Sequence, residues 1–481
     1  MIPGHAAGQA GGSDRLQEFL GATALELDIP QLVDGIDLGP DNAFDHARIL
    51  AAAAWDARTT WFLTNGASQG NRMAVQALRA LGDRVLVQRS CHSSVYDGLV
   101  MSGATPEYLL PETDAEHGVA HGVAAPDAER ALREAAEAGR PFAALVVVSP
   151  SYFGVVADVP AIAAACRAHG AALVVDASWG AHFGFHEELP ESPTRQGADI
   201  VLSSIHKLGG SLTQTALLHL CDGPYADELG PALDAAYRLT ESTSLNSLLL
   251  ASLDIARSEL ATGQSQMSAA LAAADELRRR VAETPGLRLA EPDFLASSGA
   301  VAIDPLHVSI DVRGRGVTGS ELKGRLAATS PPVFVEIASP TTVVALIGPR
   351  GTPDVAGLLE AIDRVAPATP GPNKSTAMTT AGSGIDPDRG LVAHPPSPSE
   401  QALTPREAAL APSETVPADD SVGRIAATML SAYPPGIPNV VPGERITADL
   451  LAYLRAMAGL PGCYIRGAVD DAVTQIRVLR E

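Results

Sequence analysis

Short apolar segments alternate with Ala-rich segments between Thr60 and Leu220, and this alternation constrains the fold more than any other feature of the sequence. The strand-like runs are residues 60–64, 84–88, 143–149, 171–176, 199–204 and 215–220. Segments with helical periodicity lie between several of them, most clearly at 71–81 and 159–170. This pattern predicts a mainly parallel sheet with helices on both faces. Ligands of such sheets bind beyond the carboxyl ends of the strands, so polar residues at those ends are the site candidates.

The rest of the chain divides into further units. A long helical segment at 247–283 precedes a second, smaller pattern of strands and helices at 306–366. Residues 367–403 are rich in Pro, Gly, Ser and Thr, which is typical of a flexible linker or a long exposed loop. We therefore predict, in chain order, an N-terminal segment at 1–55, a large domain at 56–262, a small α/β domain at 263–366, a linker at 367–403 and a C-terminal domain at 404–481.

Composition and charge exclude several classes of partner. The formal net charge of −22 repels polyanions, so we expect neither nucleic acid nor an anionic membrane as a partner. No apolar run approaches the thickness of a bilayer, and the first residues lack the pattern of a secretory signal. The four cysteines are scattered without metal-ligand spacing, so we expect reduced thiols and no metal site. These features predict a soluble cytoplasmic protein.

Two predicted strand ends carry the residues with the clearest chemistry. In ALVVDASWGAH, Asp176 ends a buried strand; in ADIVLSSIHKLGG, Ser204, His206 and Lys207 follow the next strand. An enzyme that uses pyridoxal 5'-phosphate (PLP) needs a lysine for the Schiff base and a carboxylate that keeps the pyridine nitrogen protonated. Hydroxyl and imidazole groups beside the lysine can bind the phosphate. A lone Asp is usually a cap and a lone His-Lys pair is usually on the surface, but together they predict a PLP site on Lys207.

Two further segments fit the same site less specifically. In FLTNGASQGNRMAVQAL, a helix starts after a Gly-containing turn and offers free N–H groups to a phosphate, with Ser68 and Gln69 at that start. For this segment alone, an ordinary capped helix is the favoured interpretation. In VLVQRSCHSSVYDGL, His92 follows a strand and can stack on the outer face of a pyridine ring. Taken alone, a histidine in such a loop is more often a plain polar residue.

Together these segments resemble the Orn/Lys/Arg decarboxylase family, PLP enzymes of the aspartate aminotransferase fold (fold type I). The resemblance covers nearly the whole chain. The segments that carry it are MIPGH, TNGASQGN, VLVQRSCHSSV, VVDASWGAHFGFH, SSIHKLGGSLTQTALLH, TESTSLNSLLLASLDIAR, LTPREAAL and SVGRIAATMLSAYPPGIPNVVPGERIT. It implies an α/β fold with a mainly parallel large domain, a small α/β domain and a C-terminal α/β domain. We find no similarity to the N-terminal receiver-like domain of the inducible decarboxylases, so we expect no decamer built on it.

The resemblance also implies a role for each matching residue. Lys207 would form the Schiff base, Asp176 would partner the pyridinium nitrogen, and His92 would stack on the ring. Ser178 and Trp179 would line the inner face of the ring, with His182 nearby. The implied phosphate ligands are Ser68, Gln69, Ser204 and His206, completed by Thr243 and Ser244 of a partner subunit. The resemblance thus implies a homodimer with active sites at its interface.

The implied reaction is loss of the α-carboxylate of a basic L-amino acid as CO₂, giving an amine of the polyamine type. Arginine is favoured by analogy with short members of the family, while lysine and ornithine stay open. Glu336 or Glu444 could bind the distal cation, although we prefer to interpret both as surface or interface carboxylates. The first alternative is a different PLP reaction on a basic amino acid, by an aminotransferase, lyase or oxidase. The second is a non-catalytic paralogue, against which the intact Lys207, Asp176 and His92 argue.

Several positions depart from the family pattern. Ala177 replaces an acidic residue, Ser178 an alanine, and Ser93 and Ala6 each a lysine. The usual TSPSY reads TSLNS, with Leu245 and Ser247 in place of Pro and Tyr. Lys207, Asp176 and His92 still match the family pattern. The changed positions leave the substrate and the reaction open.

Overall fold

The computed structural model describes residues 3–5, 14–30, 32–114, 116–349, 353–368, 396–433, 437–460 and 463–480. Residues 369–395 of the predicted linker and Ala6 lie outside these ranges. The helices are α1 (Asp14–Leu20), α2 (Ala22–Leu27), α3 (Ala43–Trp55), α4 (Gly66–Ala77), α5 (Ser93–Ser102), α6 (Ala125–Glu137), α7 (Val159–Ala168), α8 (Ala226–Thr240), α9 (Ser247–Thr262), α10 (Gln264–Glu283), α11 (Glu291–Phe294), α12 (Gly319–Ala327), α13 (Val355–Val365), α14 (Pro405–Leu410) and α15 (Ala448–Ala458).

The strands belong to several sheets. They are β1 (Thr59–Leu63), β2 (Arg84–Gln88), β3 (Thr105–Leu109), β4 (Ala144–Val148), β5 (Val155–Val156), β6 (Ala172–Asp176), β7 (Ile200–Ser203), β8 (Ala216–Leu220), β9 (Arg288–Leu289), β10 (Ala302–Ile303), β11 (His307–Asp311), β12 (Ile337–Ala338), β13 (Thr342–Leu346), β14 (Ser413–Pro417), β15 (Leu430–Tyr433), β16 (Pro438–Val440), β17 (Tyr464–Arg466) and β18 (Gln475–Leu479). The predicted strand runs of the large domain agree with β1, β2, β4, β6, β7 and β8 to within a residue or two.

The central sheet has the strand order β1-β8-β7-β6-β4-β2-β3. All of its strands run the same way except β8, which is antiparallel to both of its neighbours. The side chains of β2 alternate between two cores: Val85 and Val87 face one, and Leu86 faces the other. Burial on both faces explains the continuous apolar runs. The predicted mainly parallel sheet is confirmed, and β3 is the strand that the sequence interpretation did not include.

A second sheet, in the order β12-β13-β11-β9, is antiparallel and packs against α10 and α12, and α13 joins the same core. The C-terminal residues form the pair β14-β18 and the sheet β16-β15-β17, which share a core with α15. The helical segment predicted at 247–283 forms two helices, α9 and α10, which meet at Gly263. The domain limits given above stay predictions.

One turn of the central sheet determines the geometry of the site. The apolar helical periodicity of the sequence covers 71–81, and Ser68 and Gln69 are expected at the helix start; α4 begins at Gly66, with two residues between it and the end of β1. Gly66 has φ +74°, a left-handed conformation that glycine adopts without strain, so the chain turns sharply from strand into helix. The N-terminus of α4 therefore lies at the carboxyl edge of the sheet.

Candidate active site

The carboxyl ends of the parallel strands bring the predicted catalytic residues to one edge of the sheet. Asp176 ends β6, Lys207 follows β7, and His92 follows β2. The strand that carries Asp176, β6, pairs directly with β7, and Asn71 joins Asp176 Oδ2 to Ser94 Oγ, which lies 2.8 Å from His92 Nδ1. The structure therefore brings these three side chains into one site.

Lys207 lies in a π-helical turn, Ile205–Gly209, at the end of β7. Its Nζ sits 3.7 Å from the centroid of the Trp179 ring, in cation–π geometry. Burial lowers the pKa of Lys207 to about 8, against the opposing effects of the Asp176 and Glu336 carboxylates. A lowered pKa makes the neutral, nucleophilic amine accessible at a pH only slightly above neutral.

Both oxygens of the Asp176 carboxylate accept hydrogen bonds. Oδ2 accepts from Asn71 Nδ2 at 2.8 Å, and Oδ1 accepts from Ser178 N at 3.1 Å and from the Ser178 hydroxyl. Asp176, Asn71 and Ser178 are all buried. These donors fix the carboxylate, and a buried carboxylate held in this way can partner a protonated ring nitrogen.

The ring of His92 is held by its own helix. His92 is the N-cap of α5, and its Nδ1 lies 2.8 Å from Ser94 Oγ and accepts from Ser94 N at 3.2 Å. Ser94 Oγ in turn accepts from Asn71 Nδ2 at 3.0 Å, which leaves the hydroxyl proton for His92 Nδ1. Burial lowers the pKa of His92. The neutral ring therefore carries its proton on Nε2, which is free to act as a donor.

The start of α4 is the turn that the sequence predicts as a phosphate site. Its first N–H groups have no partner within the helix, and Ser68 lies in that first turn. The Gln69 side chain is buried: Oε1 accepts from Asn65 N at 3.3 Å, and Nε2 donates to Thr240 Oγ1 at 3.4 Å. Gln69 thus braces the turn, while its role as a phosphate ligand stays a prediction.

Ser204 and His206 lie on the other side of Lys207. His206 Nδ1 donates to the Thr215 carbonyl at 3.0 Å and lies 3.2 Å from Ser204 Oγ. Burial lowers the pKa of His206, and the Glu336 carboxylate opposes this effect. Their assignment to the phosphate stays a prediction, and their position next to Lys207 is compatible with it.

For three further predicted residues, the role at the cofactor stays a prediction. Thr243 and Ser244 are exposed in the loop after α8. His182 is fully buried and its Nε2 lies 3.0 Å from Asp304 Oδ1. The exposure of Thr243 and Ser244 is compatible with their predicted role in a partner's site.

The positions that depart from the family pattern have local explanations. Ser93 is buried, and its hydroxyl lies 3.4 Å from Nη1 of Arg466, a cation supplied by β17. Ser247 Oγ accepts from Ile29 N and donates to the Leu27 carbonyl, so it ties the end of α2 to the start of α9. Ala177 is buried beneath the site beside β7.

Sequence reasoning missed Asn71, Ser94 and Arg466. Asn71 could have been found from its position, because it is a polar amide one helical turn after Ala67 in the segment predicted to bind a phosphate. In the structure its side chain is 2% exposed. Ser94 lies two residues after His92, within reach of the ring. Arg466 carries no sequence signal, because 373 residues separate it from Ser93.

Among the described residues, no group of three or more His, Cys, Asp or Glu side chains could hold a metal ion. The donor set instead fits PLP. It offers a lysine with a lowered pKa, a buried carboxylate, an imidazole N–H and the free N–H groups of a helix start.

A cavity of about 260 Å³ borders this site. Its wall includes Ser90, Tyr152, Asn439 and Tyr453, which come from the central sheet and from the C-terminal unit. Tyr152 also approaches the site, since its ring centroid lies 6.0 Å from that of Trp179, whose face contacts Lys207.

Comparisons with known proteins match two parts of the chain to one family. The Orn/Lys/Arg decarboxylase major domain matches residues 1–311, and the C-terminal domain of the same family matches residues 394–462. The arginine decarboxylase of Bacillus subtilis (strain 168) is 34% identical over 485 residues, covering 100% of this chain and 94% of that protein. The lysine decarboxylase LdcA of Pseudomonas aeruginosa is 24% identical, covering 94% and 73%.

Solved structures share the fold. Lysine decarboxylase A from Pseudomonas aeruginosa superposes with a TM-score of 0.81 at 22% identity, covering 99% of this chain and 78% of that one. The Francisella novicida lysine decarboxylase LdcF gives a TM-score of 0.79 at 20% identity, covering 100% and 78%. These likenesses confirm the predicted fold class.

Proposed function

The chain belongs to the Orn/Lys/Arg decarboxylase family, and we propose that it converts L-arginine to agmatine and CO₂ with PLP on Lys207. The observation that carries this proposal is the meeting of Lys207, Asp176 and His92 at one sheet edge in a chain 34% identical to an arginine decarboxylase over its full length. Lysine and ornithine are the competing substrates.

When bound, PLP supplies an electron sink for the bond between Cα and the carboxylate. Asp176, held by Asn71 and Ser178, would keep the pyridine nitrogen protonated. His92 would lie on one face of the ring, with Ser178 and Trp179 on the other. The start of α4, together with Ser68, Ser204 and His206, would hold the phosphate.

The chain's own residues also supply the protons and exclude water. Asp176, Ser178 and Trp179 are buried, which favours departure of a charged carboxylate as neutral CO₂. Two groups can then protonate Cα: the Nζ of Lys207 and the Nε2–H of His92. The hydrogen bonds of His92 leave that Nε2 proton as the one it can donate.

Of the two carboxylates considered for the distal cation, we assign Glu336. Glu444 is buried, and its Oε2 forms an ion pair of 2.9 Å with Arg89, so its charge is already used. Glu336 is exposed, and its charge acts on both Lys207 and His206. The guanidinium of an arginine bound beside Lys207 and extended toward solvent would meet this carboxylate.

We propose a homodimer that works in the cytoplasm. Large apolar side chains are exposed on helices that contact one another, among them Phe19 of α1, Ile49 of α3 and Ile255 of α9. Such exposure favours burial against a second copy. All four cysteines are free, as expected in a reducing compartment. No helix among the described residues is both long and apolar enough to cross a bilayer.

A substrate panel tests the reaction. Holoenzyme is given arginine, lysine and ornithine separately, and product mass and CO₂ are measured with Lys207→Ala as the control. The proposal requires agmatine from arginine at the highest kcat/KM and no product from the control. Formation of a keto acid without CO₂ would favour the aminotransferase alternative. A higher kcat/KM for lysine than for arginine would show that lysine is the substrate.

Mixing two inactive variants tests the shared site. A Lys207→Ala chain and a Thr243→Ala/Ser244→Ala chain are refolded together. If Thr243 and Ser244 complete the partner's site, one site of each mixed dimer is intact, so roughly a quarter of wild-type activity returns. No recovery would contradict the shared site.

A further inference from the structure

A buried cluster of His182, Asp304 and His307 lies behind the site and has no part in the proposed reaction. Asp304 follows β10 and His307 begins β11, and all three side chains are fully buried. His182 Nε2 lies 3.0 Å from Asp304 Oδ1, and His307 Nδ1 lies 2.7 Å from Asp304 Oδ2. Burying a carboxylate costs free energy of desolvation unless hydrogen bonds or opposite charges compensate for it. The placement of this carboxylate therefore needs a reason.

The protonation of this cluster follows from its contacts. Burial favours the neutral form of Asp304, but the two rings outweigh burial and hold the pKa of Asp304 well below its usual range. The carboxylate is therefore ionised and accepts from both rings. The outer nitrogens, His182 Nδ1 and His307 Nε2, have no hydrogen-bond partner among the described residues. Among the described residues, the side-chain hydrogen bond of each ring is therefore the one to Asp304.

Only one of the two rings reaches toward Lys207. The rings of His307 and Trp179 meet edge to face, with centroids 5.8 Å apart and an interplanar angle of 77°. Trp179 then presents its face to Lys207 Nζ at 3.7 Å. His182 packs instead against Phe183, with ring centroids 4.9 Å apart. The path from Asp304 to Lys207 therefore runs through His307 and Trp179.

We propose that His307, anchored by Asp304, is a positioning residue for Lys207 and acts by fixing the indole plane of Trp179. An indole face holds an ammonium only when the ring plane is correctly oriented, because the attraction comes from the charge distribution above the face. These contacts lead from His307, at the start of β11 in the second sheet, through Trp179 to Lys207 of the central sheet. The second sheet thereby helps to determine how tightly Lys207 holds a proton.

This inference deepens the proposed function, because Lys207 is the lysine on which that function rests. Its test uses the full-length chain freed of cofactor and needs no turnover. Failure of the test therefore leaves the decarboxylase proposal standing, and a failed decarboxylase assay leaves this inference standing.

The composition makes the pKa of Lys207 directly measurable. The chain contains only three lysines, Lys207, Lys323 and Lys374. Labelling with ε-¹³C-lysine gives one signal for each, and Lys207→Arg identifies the signal of Lys207. Wild-type Lys207 is expected to titrate at about 8. In Trp179→Leu, the Lys207 side chain stays buried but its ammonium loses the ring face. The pKa of Lys207 should therefore fall by roughly half to one and a half units.

Matched variants of the two histidines separate positioning from general stability. His307→Asn keeps a donor near the Nδ1 position but has no ring edge for Trp179, whereas His182→Gln keeps a donor near the Nε2 position of a ring that packs on Phe183. We expect His307→Asn to lower the pKa of Lys207 and His182→Gln to leave it unchanged. Trp179→Leu combined with His307→Asn should shift the pKa no further than Trp179→Leu alone, because both act through one contact.

Three results would overturn the inference: an unchanged pKa in His307→Asn, equal shifts in the two histidine variants, or additive shifts in the double variant. If His307→Asn does not fold, His307→Phe takes its place, since it retains an aromatic edge. It should keep the pKa of Lys207 near the wild-type value despite a lower stability. A shift as large as that of Trp179→Leu would then contradict the role of the ring edge.

Discussion

Asn71 Nδ2 donates to Asp176 Oδ2 at 2.8 Å and to Ser94 Oγ at 3.0 Å, so one buried amide group links the carboxylate that would face the pyridine nitrogen to the support of His92. The amide has two protons, and each has one acceptor. The two groups expected on the edge and on the face of the cofactor ring are therefore held by the same residue of α4.

Replacing Asn71 is expected to weaken both groups at once. Asn71→Ala leaves buried acceptors unsatisfied at a cost of about 1–3 kcal/mol, which should lower cofactor affinity and kcat/KM by roughly ten- to a hundredfold. The cofactor is titrated by absorbance and the rate by CO₂ release. Asn71→Asp is the informative companion, because it places a second carboxylate beside Asp176 and removes both amide donors. Near-wild-type values in Asn71→Ala would show that the link is dispensable.

Arg466 is expected to influence the titration of His92. Burial is the main cause of the lowered pKa of His92, and the positive charges of Lys207 and Arg466 lower it further. Arg466→Gln removes one of these charges, so the pKa of His92 should rise toward its ordinary value. The ring-proton NMR signal of His92, identified with His92→Gln, measures the change at low ionic strength. Arg477→Gln, an exposed arginine of β18, serves as the control and should cause no shift.

The assignment of Glu336 predicts a change in substrate binding. Glu336→Gln removes the charge from an exposed carboxylate, so the KM for arginine should rise by roughly three- to tenfold while kcat changes little. Steady-state rates measure both constants. Glu283→Gln, at an exposed carboxylate of α10 that pairs with Arg279, is the matched control. An equal effect in both variants, or none in Glu336→Gln, would remove Glu336 from the substrate site.

The ion pair between Arg89 and Glu444 is expected to fasten the C-terminal unit to the central sheet. Arg89 also donates to the Pro438 carbonyl at 2.7 Å, and both charged side chains are buried. Arg89→Met leaves the buried Glu444 carboxylate without its ion-pair partner and should lower the free energy of unfolding by about 3–5 kcal/mol. Arg89→Met with Glu444→Gln should recover most of that loss. Denaturant titration measures both, and additive losses would contradict the pairing.

Much of the site could be predicted because its residues lie at strand ends. Short apolar runs between helical segments identify the strands, and the carboxyl ends of parallel strands lie at one edge of a sheet. Asp176 and Lys207 could therefore be placed together from the sequence. Contacts between distant segments could not be predicted in the same way. Arg466 meets Ser93 across 373 residues, and His182 meets Asp304 across 122 residues. Such pairings depend on how the units pack, which no local pattern encodes.

The start of α4 illustrates a second limit. The apolar periodicity of that helix begins near Asn71, yet the helix starts at Gly66. Its first turn is polar because it faces the site, so it lacks the apolar signal on which helix limits are judged. Functional segments are therefore the places where the sequence pattern is least informative about boundaries.

The central claim is that Lys207 serves a decarboxylation in which Cα receives a proton after CO₂ departs. The most direct test incubates the holoenzyme with [1-¹³C]arginine in D₂O and measures the gas and the amine together. We predict one ¹³CO₂ for each agmatine formed, one deuterium at its former Cα, and neither product with Lys207→Ala. Consumption of arginine with the ¹³C label retained in the product would contradict the account.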